Sequence, residues 1–170
     1  MNPPPLENFM AAIINGFDHL PTPHTYDYWC EPGRALVAEC ASVVVRVDLR
    51  KGDRLYINDG AFGSLFDAGT TLNWRFPVRM INAKPHATLK PFSFYGPTCT
   101  SEDFMPGPFM LPASIKEGDY IEIGQTGAYG NVMRTGFNGF GAYETIAVQS
   151  PPLMSLFETK PAKKRKLVNA

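Results

Sequence analysis

The stretch Ala41–Asp59, ASVVVRVDLRKGDRLYIND, sets the fold. Its first half is a β-branched run rich in valine. Its second half repeats that texture, and the RKGDR between them has the glycine and aspartate of a hairpin turn. The same texture recurs along the chain. TYDYWCE, WRFPVRMINA, TLKPFSFYG, DYIEIGQ and YETIAVQS are further β-branched or aromatic runs bounded by turn residues, and KEGDY introduces one of them as RKGDR does. Several short strands at fairly even spacing predict a mainly β domain, an antiparallel β-barrel or sandwich.

One segment breaks the pattern. In PPPLENFMAAIINGFDHLP the prolines suit a first turn, and Leu6, Phe9, Met10, Ile13, Phe17 and Leu20 recur at helical spacing, which predicts a short amphipathic N-terminal helix. From Pro151 the texture changes again. ETKPAKKRKLVNA is basic, interrupted by proline and poor in core residues, so residues 151–170 read as a disordered tail. The division expected is a helical segment over 1–24, a β domain over 25–150 and the tail.

Composition narrows the partners. With 170 residues the chain suits one core. The 16 prolines and 15 glycines favour turns over long helices. Formal net charge is zero, and the strands carry no clustered basic and aromatic residues, which argues against a nucleic-acid-binding barrel. The KKRK of the tail, Lys163–Lys166, reads as a solvated surface. No apolar run approaches the roughly 20 residues of a membrane helix. MNPPPLEN has no signal-peptide character. Three cysteines, Cys30, Cys40 and Cys99, show no metal spacing, and their odd number leaves a free thiol, as fits a reducing cytoplasm. His19, His24 and His86 are scattered and read as surface or helix-end residues. Trp29 and Trp74 read as core or interface packing.

The chemistry-bearing candidates lie between the strands. Glu31-Pro32-Gly33-Arg34 is either a turn with a surface ion pair or an anion site, in which the glycine admits a close approach and the arginine supplies permanent charge. YGPTCTSED, Tyr95–Asp103, puts a thiol in a Gly-Pro turn with an acid four residues later. GQTGAYGN presents Tyr129 among glycines, and FNGFGAYE, from Phe137, sets aromatic rings around a flexible loop. Glycine-flanked aromatics are also common in plain turns.

In their order, EPGR, INDGAFGS, GPTC, LP…EGD, GAY and FNGF resemble the carboxyl-terminal part of the pyridoxal-phosphate-dependent ornithine, diaminopimelate and arginine decarboxylases of the alanine-racemase-like fold, the ornithine branch above all. The resemblance spans residues 2–148. It implies a decarboxylase C-terminal β domain preceded by a helix left over from an α/β barrel. It also implies pyridoxal 5′-phosphate as cofactor, with Glu31 at the ring nitrogen and Gly33, Arg34 and Tyr129 at the phosphate. Cys99 would direct protonation of the decarboxylated intermediate. Asp103 would be an acid at the same shared interface, and Phe137 an aromatic near the substrate.

Active sites of this kind are shared across a homodimer. The Schiff-base lysine and glycine-rich loop would lie upstream of Met1, so the chain by itself, a truncated product or a fragment, is expected to be inactive. One departure bears on substrate. Thr100 stands where ornithine decarboxylases commonly carry an aspartate for the substrate's distal amine, and Asp67 has no assured counterpart. The competing reading is a non-catalytic interaction module that pairs with full-length subunits, as inactive relatives do.

Overall fold

The computed structural model describes residues 4–21, 27 and 29–155. Two compact units divide the chain. One comprises Met1–Glu31 with Ser155–Ala170, and the other is Pro32–Met154. KKRK, His24 and, of the expected TYDYWCE strand, Thr25, Tyr26 and Tyr28 lie outside the described residues, while Asp27, Trp29, Cys30 and Glu31 form no strand.

In the first unit the predicted helix is present as α1, Leu6–Asp18. It ends at His19, whose Nδ1 lies 2.7 Å from the carbonyl oxygen of Asn15. Leu6, Phe9, Met10 and Ile13, the apolar stripe read from its periodicity, are exposed.

The second unit opens with a short helix, α2, Gly33–Val37, and then builds one six-stranded sheet. The strands are β1 Val43–Lys51, β2 Arg54–Ile57, β3 Val78–Met80, β4 Leu89–Tyr95, β5 Phe104–Pro112 and β6 Tyr120–Ile123. Their order is β3-β6-β1-β2-β4-β5, and the outer strands β3 and β5 touch, so the sheet curls into a nearly closed barrel. The hairpin predicted at RKGDR joins β1 to β2, with Lys51 opposite Arg54 and Gly52 at a φ of +63°, which glycine adopts without strain.

Alternation along the strands fills the barrel. Val45 and Val47 of β1, Leu55 and Ile57 of β2, Phe92 and Phe94 of β4 and Ile121 and Ile123 of β6 are buried. The alternation in β1 stops at a bulge between Val47 and Leu49, after which Leu49 turns outward. Phe94 stacks on Phe109 of β5 at 4.1 Å between centroids, and Met105 and Leu111 complete that wall.

One strand is absent from the sequence reading, and two of its expectations need correction. β5, FMPGPFMLP, is a strand although its prolines and glycine argue against one; it lies at the sheet edge, where a missing N–H is tolerated. YETIAVQS forms no strand, and Ile146 and Val148 are exposed. The pairing is antiparallel except between β2 and β4, which run parallel and are joined by the long crossover 58–88.

That parallel pair arranges the loops. β6 is antiparallel to β1, which is antiparallel to β2, so β2, β4 and β6 all end at the same rim of the barrel. β1 and β3 begin there. The segments after Ile57, Tyr95 and Ile123 and those before Val43 and Val78 therefore converge on one end.

Candidate functional site

Arg34 lies at this rim. Segment 33–42 is tied to the turn after β6 by Gly127 N–H donating to the Ala38 carbonyl at 3.0 Å and Thr126 N–H donating to the Ala41 carbonyl at 3.1 Å. A Cβ at position 127 would lie 2.6 Å from Cys40 Sγ and closer still to the Val37 carbonyl oxygen, so only glycine allows this approach. The contact brings Tyr129 to Arg34. The guanidinium sits 4.7 Å from the centre of the Tyr129 ring and 4.9 Å from that of Trp74. Its Nη2 donates to Asp67 Oδ2 at 2.6 Å, with Asp67 7% exposed and Arg34 31%. Two aromatic faces and a buried carboxylate thus fix a cation that still reaches solvent. Its Nε and Nη1 have no hydrogen-bond partner among the described residues.

Cys99 occupies the turn after β4. Its φ is +58°, an uncommon conformation for a residue with a side chain, and its exposed Sγ donates to the Pro97 carbonyl at 3.6 Å. The neighbouring Asp103 is 1% exposed. Its Oδ2 accepts from Thr98 N–H at 3.1 Å and Thr98 Oγ1 at 2.6 Å, while Oδ1 accepts from Ala61 N–H at 2.7 Å. A Cβ on Gly60 or Gly96 would collide with this carboxylate. Asp103 therefore joins the GPTC turn to the INDGAFGS loop and is not displayed at a surface.

The FNGF segment docks on the same loop. Phe137 stacks on Phe62 at 4.9 Å, Thr135 N–H donates to the Phe62 carbonyl at 2.9 Å, and Asn138 Nδ2 donates to the Thr98 carbonyl at 2.8 Å. Arg134 anchors the segment from below, donating to Asp59 Oδ2 at 2.9 Å and to Ser64 Oγ at 2.6 Å, with Arg134 10% and Asp59 9% exposed. A cleft of about 730 Å³ opens here, lined in part by Thr98, Phe62, Phe137 and Arg134.

Of the candidates from the sequence, Gly33, Arg34, Cys99, Thr100, Asp103, Tyr129 and Phe137 all belong to the β unit. Gly33 opens α2 with free space where a Cβ would project. The Thr100 hydroxyl lies 3.5 Å from Glu102 Oε2. Glu31 is exposed and belongs to the other unit. Trp74 is not core packing: it is partly exposed and supports Arg34, while Trp29 is almost fully exposed. His86, at a φ of +58°, is exposed, and among the described residues no cluster of histidine, cysteine and acidic side chains could hold a metal. The sequence reading gave no role to Asp59 and Asn138, which lie inside the INDGAFGS and FNGF motifs, or to Asp67, and it did not single out Arg134, which carries no signature beyond its residue type.

Fold and site together define a β-barrel domain that presents a fixed arginine beside a phenol, and a thiol on a constrained turn, from one rim. Residues 24–127 match the family described as "Pyridoxal-dependent decarboxylase, C-terminal sheet domain", and the chain belongs to that family. It is 31% identical over 150 residues to the lysine/ornithine decarboxylase of Selenomonas ruminantium, covering 86% of this chain and 37% of that protein. Over 112 residues it is 30% identical to a diaminopimelate decarboxylase of Helicobacter pylori, covering 64% of this chain and 27% of that protein. Among solved structures, the lysine/ornithine decarboxylase from Vibrio vulnificus complexed with cadaverine aligns at a TM-score of 0.62 and 31% identity, over 85% of this chain and 39% of that one. The chain thus spans under two fifths of these relatives' length.

The family's pyridoxal cofactor can be tested against the residues present. Arg34 and Tyr129 fit its phosphate: a guanidinium with unused donors, held rigid from behind by Asp67, lies beside a partly exposed phenol.

Proposed function

We propose that this chain supplies the β-domain share of the active site of a pyridoxal-phosphate-dependent decarboxylase, with ornithine as substrate and putrescine as product. One observation carries the reading: Arg34, fixed by Asp67 between the rings of Trp74 and Tyr129, stands on the barrel rim that also carries Cys99. Bound there, pyridoxal phosphate would supply an acceptor for the electron pair left as carbon dioxide departs. Arg34, Tyr129 and the Gly33 backbone would hold its phosphate, and the Glu31 carboxylate would keep the ring nitrogen protonated. Cys99 Sγ delivers the proton that completes the product, from a turn that Asp103 holds in place, and Phe137 walls the substrate cleft.

Cys99 stands exposed on the rim, which suits a thiol that serves a second copy across a shared homodimer interface. All three cysteines are free, in keeping with a reducing cytoplasm. No helix among the described residues is long and apolar enough to cross a membrane. Thr100 offers the substrate's distal group a hydroxyl and no charge, so lysine and diaminopimelate belong in the same assay.

The test is carbon dioxide release by the protein at the length at which the cell makes it, with ornithine, lysine and diaminopimelate compared in parallel. Putrescine formation that is lost in R34M is the expected result. No release from any of the three rejects the catalytic reading in favour of an interaction module that binds full-length subunits, for which co-purification with an active decarboxylase is the positive sign.

A further inference from the structure

Outside the residues proposed to hold the phosphate, a dense hydrogen-bond cluster surrounds Thr98, the residue before Cys99. All three of its hydrogen-bonding groups are engaged. Its N–H and Oγ1 both donate to Asp103 Oδ2, and its carbonyl accepts from Asn138 Nδ2 at 2.8 Å. The peptide between Thr98 and Cys99 is thereby held from two sides, by a buried acid on its own turn and by an amide brought in from the FNGF segment. Cys99 follows with a φ of +58°, a conformation that a residue with a Cβ adopts when its surroundings impose it.

Asn138 itself has a φ of +54°, which asparagine tolerates better than most residues, so its backbone suits the bend that aims its amide at Thr98. The segment that carries it is fixed independently: Arg134 is bound to Asp59 and Ser64, and Thr135 to the Phe62 carbonyl.

We infer that Asn138 is a positioning residue for Cys99: it clamps the Thr98 carbonyl against the hold of Asp103 and so fixes where the thiol points. The inference deepens the functional reading above, and its relevance to proton delivery rests on that reading, but the clamp is testable without turnover. It couples two motifs far apart in sequence, GPTC and FNGF, through one hydrogen bond.

The experiment compares the wild-type chain with N138A, N138D and N138G. N138G keeps the preference for a positive φ and removes only the side chain; N138D keeps the shape and replaces the donor by an acceptor. Amide hydrogen exchange across residues 96–103 is expected to speed up tenfold or more in all three, with the amides of β1 and β6 unchanged. Iodoacetamide labelling of Cys99, followed by peptide mass spectrometry with Cys30 and Cys40 as internal references, is expected to rise at least threefold, because a loosened turn frees Sγ from the Pro97 carbonyl. Unchanged exchange in 96–103, or acceleration spread evenly over the barrel, overturns the clamp. Faster exchange with unaltered Cys99 labelling overturns its control of the thiol. Decarboxylase activity enters none of these outcomes, so failure of the assay above and failure of the clamp are separate results.

Discussion

Replacing Gly127 with alanine would drive a methyl group between the turn after β6 and the segment that carries Arg34. The new Cβ would lie 2.6 Å from Cys40 Sγ and 3.1 Å from the Ala38 carbonyl oxygen, and closest of all to the Val37 carbonyl oxygen. Two of these three neighbours are backbone, so no rotamer change relieves the clash. Restoring a separation of about 3.5 Å to the sulfur requires the two segments to part by about 1 Å. Overpacking of this kind costs about 1–3 kcal/mol. For a chain of this size each kcal/mol lowers Tm by about 2–4 °C.

The same displacement stretches the contacts of Arg34, now at 4.7 Å from Tyr129 and 4.9 Å from Trp74, toward the ~6 Å at which a cation–π contact lapses. Thermal melting, with Trp74 fluorescence read in a W29F background, would report both effects. Gly136→Ala is the control, because a Cβ there meets nothing within 4 Å and the backbone φ is negative. A G127A chain that melts within 1 °C or so of wild type, well inside the shift expected, and keeps its Trp74 emission would show that close approach at Gly127 does not hold Arg34 in place.

Asp67→Asn keeps an oxygen at the Arg34 guanidinium but removes the opposing charge. Because Arg34 is 31% exposed, the expected loss is toward the lower end of the 1.5–3 kcal/mol typical of charged hydrogen bonds, about 1–2 kcal/mol, read by urea denaturation. Gly33→Ala separates fold from function: α2 has room for the methyl at its first position, so stability should hold. Binding of pyridoxal phosphate by equilibrium dialysis should nonetheless weaken if the Gly33 backbone approaches the phosphate, and unchanged binding would remove Gly33 from the site.

Much of the barrel is legible because its strands are buried on one face. β-Branched and aromatic runs bounded by turn residues need only a local window, and they locate β1, β2, β4 and β6 well; α1 is found as locally, from its period of 3.6. The two failures have opposite causes. In β5, Pro106, Gly107 and Pro108 hide a strand that tolerates them at an edge, and a Cβ at Gly107 would lie 2.5 Å from the Phe92 carbonyl oxygen, so the residue that reads as a breaker is the one that lets β5 pack on β4. In YETIAVQS the propensity is real, but a strand also needs a neighbour to receive its hydrogen bonds, and the window contains nothing about neighbours. The parallel pairing of β2 with β4 is hidden for the same reason, since register and direction are decided by residues far apart.

The site divides along a similar line, and the division concerns acids. Motif residues whose side chains project from the rim, Arg34, Cys99, Tyr129 and Phe137, are recognisable because turns and glycines advertise exposed loops. Asp59, Asp67 and Asp103 are not recognisable as what they are. Each is buried, and each accepts donors from another loop or from its own turn: Asp59 takes Gly60 N–H at 2.8 Å, Ser64 N–H at 3.0 Å and Arg134, Asp67 takes Arg34, and Asp103 takes Ala61 and Thr98. An aspartate in a glycine-rich loop looks like a reagent when read in sequence, because nothing local distinguishes a carboxylate facing solvent from one facing backbone amides. At this rim the burial of Asp59 and Asp103 and the exposure of the thiol have one cause. Loops without sheet partners still have N–H groups to satisfy, and a buried carboxylate can satisfy several at once, which holds the loops close enough for their remaining side chains to point outward together.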